Sequence, residues 1–352
     1  QFLDALREQG YFDVALDYLN EMETSDLASS EFKATLPFEK AQTLISSTTV
    51  IRDPQLLEER LGQAESLLEQ AEAHARTPEL KARSQDYLGD LLFRRARNYL
   101  AMAENDRLTS SEKEVYLGQA REYLKNALTA YGKARTSYRQ ILDDYQLDLR
   151  NPESKSRLKR LRAVYTVVRV KMPQILEQLA DSLDADDPER ARSLEMATSE
   201  FKDLWQKYPN FPAGLDSCLY AARCLYKQEQ FAESLSYLQE IMSLSDTSAL
   251  QTLKRRAMVL AADCWARTSP YPYDDVIANL ESYSERLTRR EQRDPEWQRI
   301  QIELARAYHE KAAALKEQNG DPGRIRNLER DAAKLVKLLA RMPGDQRQQA
   351  QQ

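Results

Sequence analysis

PAGLDSCLYAARCLYKQEQFAESLSYLQEI, residues 212–241, holds two apolar rows of helical spacing joined by a short polar turn. In the first row the small pair Ala221-Ala222 is followed three residues on by Leu225. In the second, Ser234 is followed at four and seven by Leu238 and Ile241. Residues three and four apart share a helix face, so each row is one side of a helix. Small side chains that face each other let two antiparallel backbones approach closely, while the large ones pack on the next hairpin.

The second-row pattern recurs along the chain. GYFDVALDYL, residues 10–19, opens the triple Ala15-Leu19-Met22. Ala64-Leu68-Ala71, Ala120-Leu124-Ala127, Ala197-Phe201-Leu204 and Ala332-Val336-Leu339 follow. The first-row layout returns as Leu88-Gly89-x-x-Leu92 and Leu304-Ala305-x-x-Tyr308. Their spacing is irregular, and over 248–289 the triple fails, because Ala278-Ser282-Glu285 is too polar.

Composition agrees with a helical chain. Of 352 residues, 30% are charged and 42% apolar, which gives a core thin relative to its surface and suits an extended shape. Only 9 glycines occur, and helix formers dominate. No run approaches the roughly 20 apolar residues of a membrane span. The formal charge of -5 gives no reason to expect nucleic acid. Cys218, Cys224 and Cys264 lack metal-ligand spacing and read as small buried apolar residues.

Proline marks the helix starts. Asp53-Pro54, Thr77-Pro78, Asn151-Pro152, Asp187-Pro188 and Asp294-Pro295 each place a capping side chain before a proline, whose missing N–H costs nothing at the first helical position. Asp321-Pro322 is a sixth candidate, and Thr109 with Glu112 fits a capping box. The spacing predicts helical segments over 1–24, 31–76, 79–128 running on to about 145, 153–183 with a break at Pro173, 188–246, 248–289 and 294–342.

The pattern resembles the tetratricopeptide repeat (TPR), with residues 212–246 carrying the likeness. Ser234 stands where Ala is usual, Cys218 where Trp is common, and no proline follows. Upstream, AMATSEFKDLWQKYPNFPAG is similar to a second helix with its closing proline, Pro209, as in repeats of bacterial periplasmic and outer-membrane-associated proteins. The resemblance implies an all-α fold, a right-handed α-solenoid of about seven stacked antiparallel hairpins, some with long helices. It implies one elongated domain over 1–343, less regular over 1–187 and closer to the family over 188–343, with 344–352 as a polar tail or linker. It also implies that the first helices line a groove for an extended peptide or partner helix. The outward residues beside the small pair are Asp90 and Phe93, Arg223 and Tyr226, and Arg306 and His309. The family's Lys and Asn clamp for a C-terminal carboxylate is not found, whereas Arg223 and Arg306 suit an acidic segment.

Other segments carry less chemistry. Lys155, Arg157, Lys159, Arg160, Arg162, Arg169 and Lys171 make a basic block followed by Glu177, Asp181, Asp184, Asp186, Asp187 and Glu189. Opposite blocks of this kind complement each other or a neighbouring subunit. Leu158, Leu161, Tyr165, Val168, Met172, Ile175 and Leu179 form a packing seam, intramolecular or a dimer face. The loop TSPYPYDD, 268–275, offers tyrosines that cap a local core or anchor a partner. Neither histidine, His74 nor His309, has a partner at ligand spacing, no phosphate loop or Gly-x-Ser-x-Gly occurs, and Ser30-x-x-Lys33 and Ser110-x-x-Lys113 match a short nucleophile pattern that chance alone supplies in so Lys-rich a chain. The expectation is therefore a non-enzymatic scaffold with no cofactor and no metal, bound to proteins or peptides, with self-association among the options, and not to nucleic acid. It belongs to a larger assembly in the bacterial periplasm or cell envelope; alternatively, it is a cytoplasmic adaptor that holds an acidic segment. Gln1 lies inside a helical pattern, which a removed signal peptide and a trimmed sequence explain equally, and further chain is expected beyond GDQRQQAQQ.

Overall fold

A computed structural model describes residues 2–284 and 295–340. Among them are fourteen helices and no strand: α1 Phe2–Glu8, α2 Phe12–Thr24, α3 Ser30–Ser47, α4 Pro54–Ala73, α5 Pro78–Ala103, α6 Ser110–Asp143, α7 Pro152–Asp181, α8 Pro188–Lys207, α9 Pro212–Lys227, α10 Phe231–Ser243, α11 Gln251–Arg267, α12 Tyr273–Ser284, α13 Pro295–Glu317 and α14 Pro322–Leu339. None of the described helices is long and apolar enough to cross a membrane. The end of the hairpin expected over 248–289 and the tail at 344–352 lie outside the described residues.

The proline-marked starts are real helix starts, and the preceding side chains satisfy the unpaired N–H groups of the first turn. Asp53 accepts from Gln55 N at 2.8 Å, Thr77 from Leu80 N at 3.1 Å, Asn151 from Glu153 N at 2.9 Å, and Asp321 from Arg324 N at 3.0 Å. Asp187 accepts from Glu189 N at 2.7 Å. Thr109 and Glu112 form the reciprocal capping box that opens α6. Asp294 lies outside the described residues, and α13 begins at Pro295.

The break expected at Pro173 does not occur, since α7 runs through it. The proline denies a hydrogen bond to the carbonyl of Arg169, a defect that costs about 3 kcal/mol in a helix interior. Leu161 and Val168 before it, and Ile175, Leu176 and Leu179 after it, are all buried on one side. At roughly 1.5–3 kcal/mol for each buried side chain, that row outweighs the lost bond. Pro37 sits inside α3 in the same manner, between buried Leu36 and Phe38.

The helices pack into two compact units, residues 1–197 and 198–352, with the division inside α8. Within the first unit each helix from α1 to α7 packs on its neighbour in sequence. Rising numbers on α5 meet falling numbers on α6. Gln85 accepts from Ser137 at 2.9 Å, Tyr131 donates to Asp90, and Arg95 lies 4.4 Å over the Tyr123 ring, so the pair is antiparallel. Alternate helices run parallel: Phe38 of α3 meets Tyr87 of α5 at 5.0 Å, and Arg94 donates to Thr48 at 2.8 Å. This is the local arrangement of an all-α solenoid. The seam residues Leu161, Val168, Ile175 and Leu179 are in the same core, so that seam is intramolecular.

The small residues do stand at the crossings. Ala15, Ala64, Ala120 and Ala197 have no exposed surface, and Ala332 only 9%. At Gly89 a Cβ would lie 2.9 Å from ring atoms of Tyr131, which is fully buried. Gly214 is more restrictive, with the Tyr208 carbonyl oxygen 1.9 Å from the place a Cβ would take.

In the second unit α9 packs on α10, α10 on α11, α12 on α13 and α13 on α14, while α9 and α13 both touch α11. The crossing implied for 212–241 is present, since Ser234 donates from its buried hydroxyl to the Ala222 carbonyl at 2.8 Å. Serine thus fits where alanine was expected, because its one polar group has a partner. The cysteines are free and buried. The polar triple at 278 is bypassed, as α12 packs through Val276, Ile277 and Leu280.

Beside the Gly89 crossing, buried Asp86 of α5 and half-buried Asp90 share Lys171 of α7, at 3.4 and 2.7 Å. Burial pushes the Asp86 carboxyl up from 3.8 to about 6, against the pull of Lys171 and with help from the Asp90 charge. A carboxyl raised in the folded state favours folding only while protonated. Its contribution is full below 3.8 and lost as the pH rises through 6, a swing of about 3 kcal/mol at about 1.4 kcal/mol per unit.

Two stability measurements check this account. Gly89→Ala is expected to lower stability by about 1–2 kcal/mol in urea unfolding, because overpacking against Tyr131 exceeds the helix-propensity gain. Gly132→Ala, one residue past that ring with open space around it, is expected to raise stability by about 0.5–1 kcal/mol. Equal effects would remove the crossing argument. Asp86→Asn leaves Asp90 to Lys171, and its stability relative to the parent is expected to be about 2–3 kcal/mol more favourable at pH 7.5 than at pH 4. A relative stability independent of pH would sink the assignment.

Candidate functional site

The helices α9, α11 and α13 lie side by side in the second unit, and each turns one row of residues away from the core. On α9 that row is Asp216, Tyr220, Arg223 and Lys227, on α11 it is Arg256, Asp263 and Arg267, and on α13 it is Arg299 and Arg306. The spacing of three and four puts each row on one helix face, opposite buried rows such as Cys218-Ala222-Leu225 and Ala257-Ala261-Cys264.

Arginine over tyrosine is the recurring contact. Arg223 lies 4.6 Å from the Tyr220 ring centre, and Arg256 of the next helix 5.7 Å from the same ring. Arg267 lies 5.4 Å over Tyr226, and Arg306 4.9 Å over Tyr271. A guanidinium over a ring gains about 0.5–2 kcal/mol and keeps its N–H edge for a planar anion. Acids on this face are held: Arg299 Nη2 donates to both oxygens of Asp263 at 2.6 and 2.7 Å. Burial raises the Asp216 carboxyl while Arg256 lowers it. Arg306 has Glu303 beside it at 3.8 Å.

Tyr271 belongs to the loop 268–275, and the structure gives that loop a local role. Its hydroxyl donates to Glu303 of α13 at 2.7 Å, and its ring packs against the core of the unit. Burial, and then that bond, push the Tyr271 phenol well above its ordinary value.

Of the residues singled out from the sequence, Arg223, Tyr226 and Arg306 lie on or beside this face. Tyr226 is half-buried, its ring 5.7 Å from Phe231, and burial raises its hydroxyl against the pull of Arg267. His309 is exposed one turn beyond Arg306. Asp90 and Phe93 belong to the first unit. Asp90 accepts from Tyr131 and Lys171, and Phe93 packs on the core, so both bind α5 to its neighbours.

Sequence reasoning passed over Arg256, Arg267 and Tyr220. A signal existed, because Ala261-Ala262-x-x-Trp265 repeats the layout of Ala221-Ala222-x-x-Leu225 and marks α11 as another first helix. The polar triple Ala278-Ser282-Glu285 in the following helix breaks the pattern that would have paired with it.

No protein-family model and no curated protein matches the chain. Among solved structures, the TPR domain of P58(IPK) is similar at 13% identity over 97% of this chain and 98% of that chain, with a TM-score of 0.21. A likeness of that degree carries no argument, and the fold rests on the packing described above.

Proposed function

We propose that the chain is a non-enzymatic scaffold for other proteins and that its second unit holds an extended acidic segment across α9, α11 and α13. The supporting observation is the set of arginines placed over tyrosine rings on three adjacent helices. Carboxylates of a bound segment meet planar N–H donors, while the rings supply apolar area at small entropic cost. Adjacent helices are about 8–10 Å apart, so an extended segment at about 3.3 Å per residue meets a new helix every third residue. Arg223, Tyr226, Arg306 and His309 are then contact residues, joined by Tyr220, Arg256 and Arg267. Asp90 and Phe93 serve a binding face on the first unit only where their outer atoms remain accessible. The run around Pro209 supports a place in a bacterial periplasm or envelope assembly, which fractionation of source cells tests.

Fluorescence anisotropy with a labelled Asp/Glu-rich peptide, against a Gly/Ser peptide of equal length, tests the binding. The acidic peptide is expected to bind more tightly, and less so in high salt. Arg256→Ala with Arg267→Ala is expected to weaken it about a hundredfold or more, at about 1.5–3 kcal/mol for each charge-assisted contact. Equal affinity for the two peptides would refute the reading.

A further inference from the structure

Several members of the basic and acidic blocks of residues 153–189 are engaged by other helices. Arg157 is taken by Glu79 of α5 at 2.7 Å, Lys171 by Asp86 and Asp90, and Glu189 by Lys125 of α6 at 2.8 Å. What remains is sorted by position. Lys155, Lys159 and Arg162, at i, i+4 and i+7, form an exposed stripe on the side of α7 opposite its buried row, with no acidic partner among the described residues. Asp184 and Asp186 are exposed in the turn between α7 and α8, and they too have no cationic partner there.

These two sets cannot meet in a single molecule. From Arg162 to the helix end at Asp181 is about 30 Å of rigid rod at about 1.5 Å per residue. Like charges spaced at i, i+4 repel by about 0.2–0.5 kcal/mol per pair, so the stripe gains from any acidic neighbour.

We propose that copies of this chain dock head to tail, the α7 stripe of one copy on the Asp184–Asp186 turn of the next. The contact is heterologous, since the two surfaces are different patches on each molecule, and it therefore propagates into open chains unless its rotation closes a ring. Being formed by exposed charges, it is weak and salt-sensitive. It suits a component that assembles at high local concentration. It is independent of the arginine face on the second unit.

Sedimentation velocity over a wide range of concentration tests it. At low salt the weight-average sedimentation coefficient is expected to rise with concentration towards that of a dimer and beyond. In about 1 M salt, where the Debye length is about 3 Å, it is expected to stay at the monomer value. The triple variant Lys155→Glu, Lys159→Glu, Arg162→Glu and the double variant Asp184→Lys, Asp186→Lys should each stay monomeric alone and associate when mixed, because each then carries the complement of the other. Arg256→Ala with Arg267→Ala should leave the association unchanged. A parent protein that is monomeric at every concentration in low salt overturns the proposal, as does a triple variant that still associates alone. Stripe-dependent binding to vesicles of phosphatidylcholine and phosphatidylserine by a protein that remains monomeric assigns the stripe to a membrane and overturns it as well. If a charge-reversed variant fails to fold, Asp184→Asn with Asp186→Asn gives the same reading, and undiminished association then refutes the contact.

Discussion

Helices in this chain come close together where one of them offers almost no side chain. Gly89 under the Tyr131 ring is the clearest case, because even a methyl group there would collide with a fully buried ring. That contact places the Tyr131 hydroxyl on Asp90, and brings α7 near enough for Lys171 to reach both Asp86 and Asp90. In the second unit Ala222 and Ser234 meet in the same way, and the serine hydroxyl closes on the backbone it approaches. Close crossings and satisfied buried polar groups thus depend on each other: the small residue permits the approach, and the approach supplies the partner.

Charge bridges helices in both units, and cations lie over aromatic rings in both. In the first, charge is drawn inward and bridges helices: Arg7 of α1 donates to Thr43 and Glu39 of α3, and Arg95 joins Glu58 and Glu65 of α4. Such pairs set which helix meets which, while their desolvation limits what they add to stability. In the second, arginines sit over tyrosines on the outward side of α9, α11 and α13, where desolvation is slight and the guanidinium edge stays near the surface.

Asp90 and Arg223 show why the family-like layout read in sequence did not distinguish these cases. Both stand one residue beyond a small residue in the same pattern. Asp90 is engaged because the next helices bring Tyr131 and Lys171 to it, residues 41 and 81 positions away. Arg223 lies over Tyr220 of its own helix, with Arg256 on the same ring. Pro173 carries the same lesson for secondary structure, since local chemistry argues for a break and the buried row on either side of it prevails.

What the sequence determined by itself was the local physics. Helix starts at Asp53, Thr77, Asn151 and Asp321 were legible because a cap and a proline act within three residues, and the buried faces were legible because helical spacing needs no partner to be seen. The tertiary structure alone decided which charges are spent inside the fold, and that α11 joins α9 and α13 in one arginine-bearing face. Those facts depend on distances between residues far apart in the chain, which packing sets and periodicity does not contain.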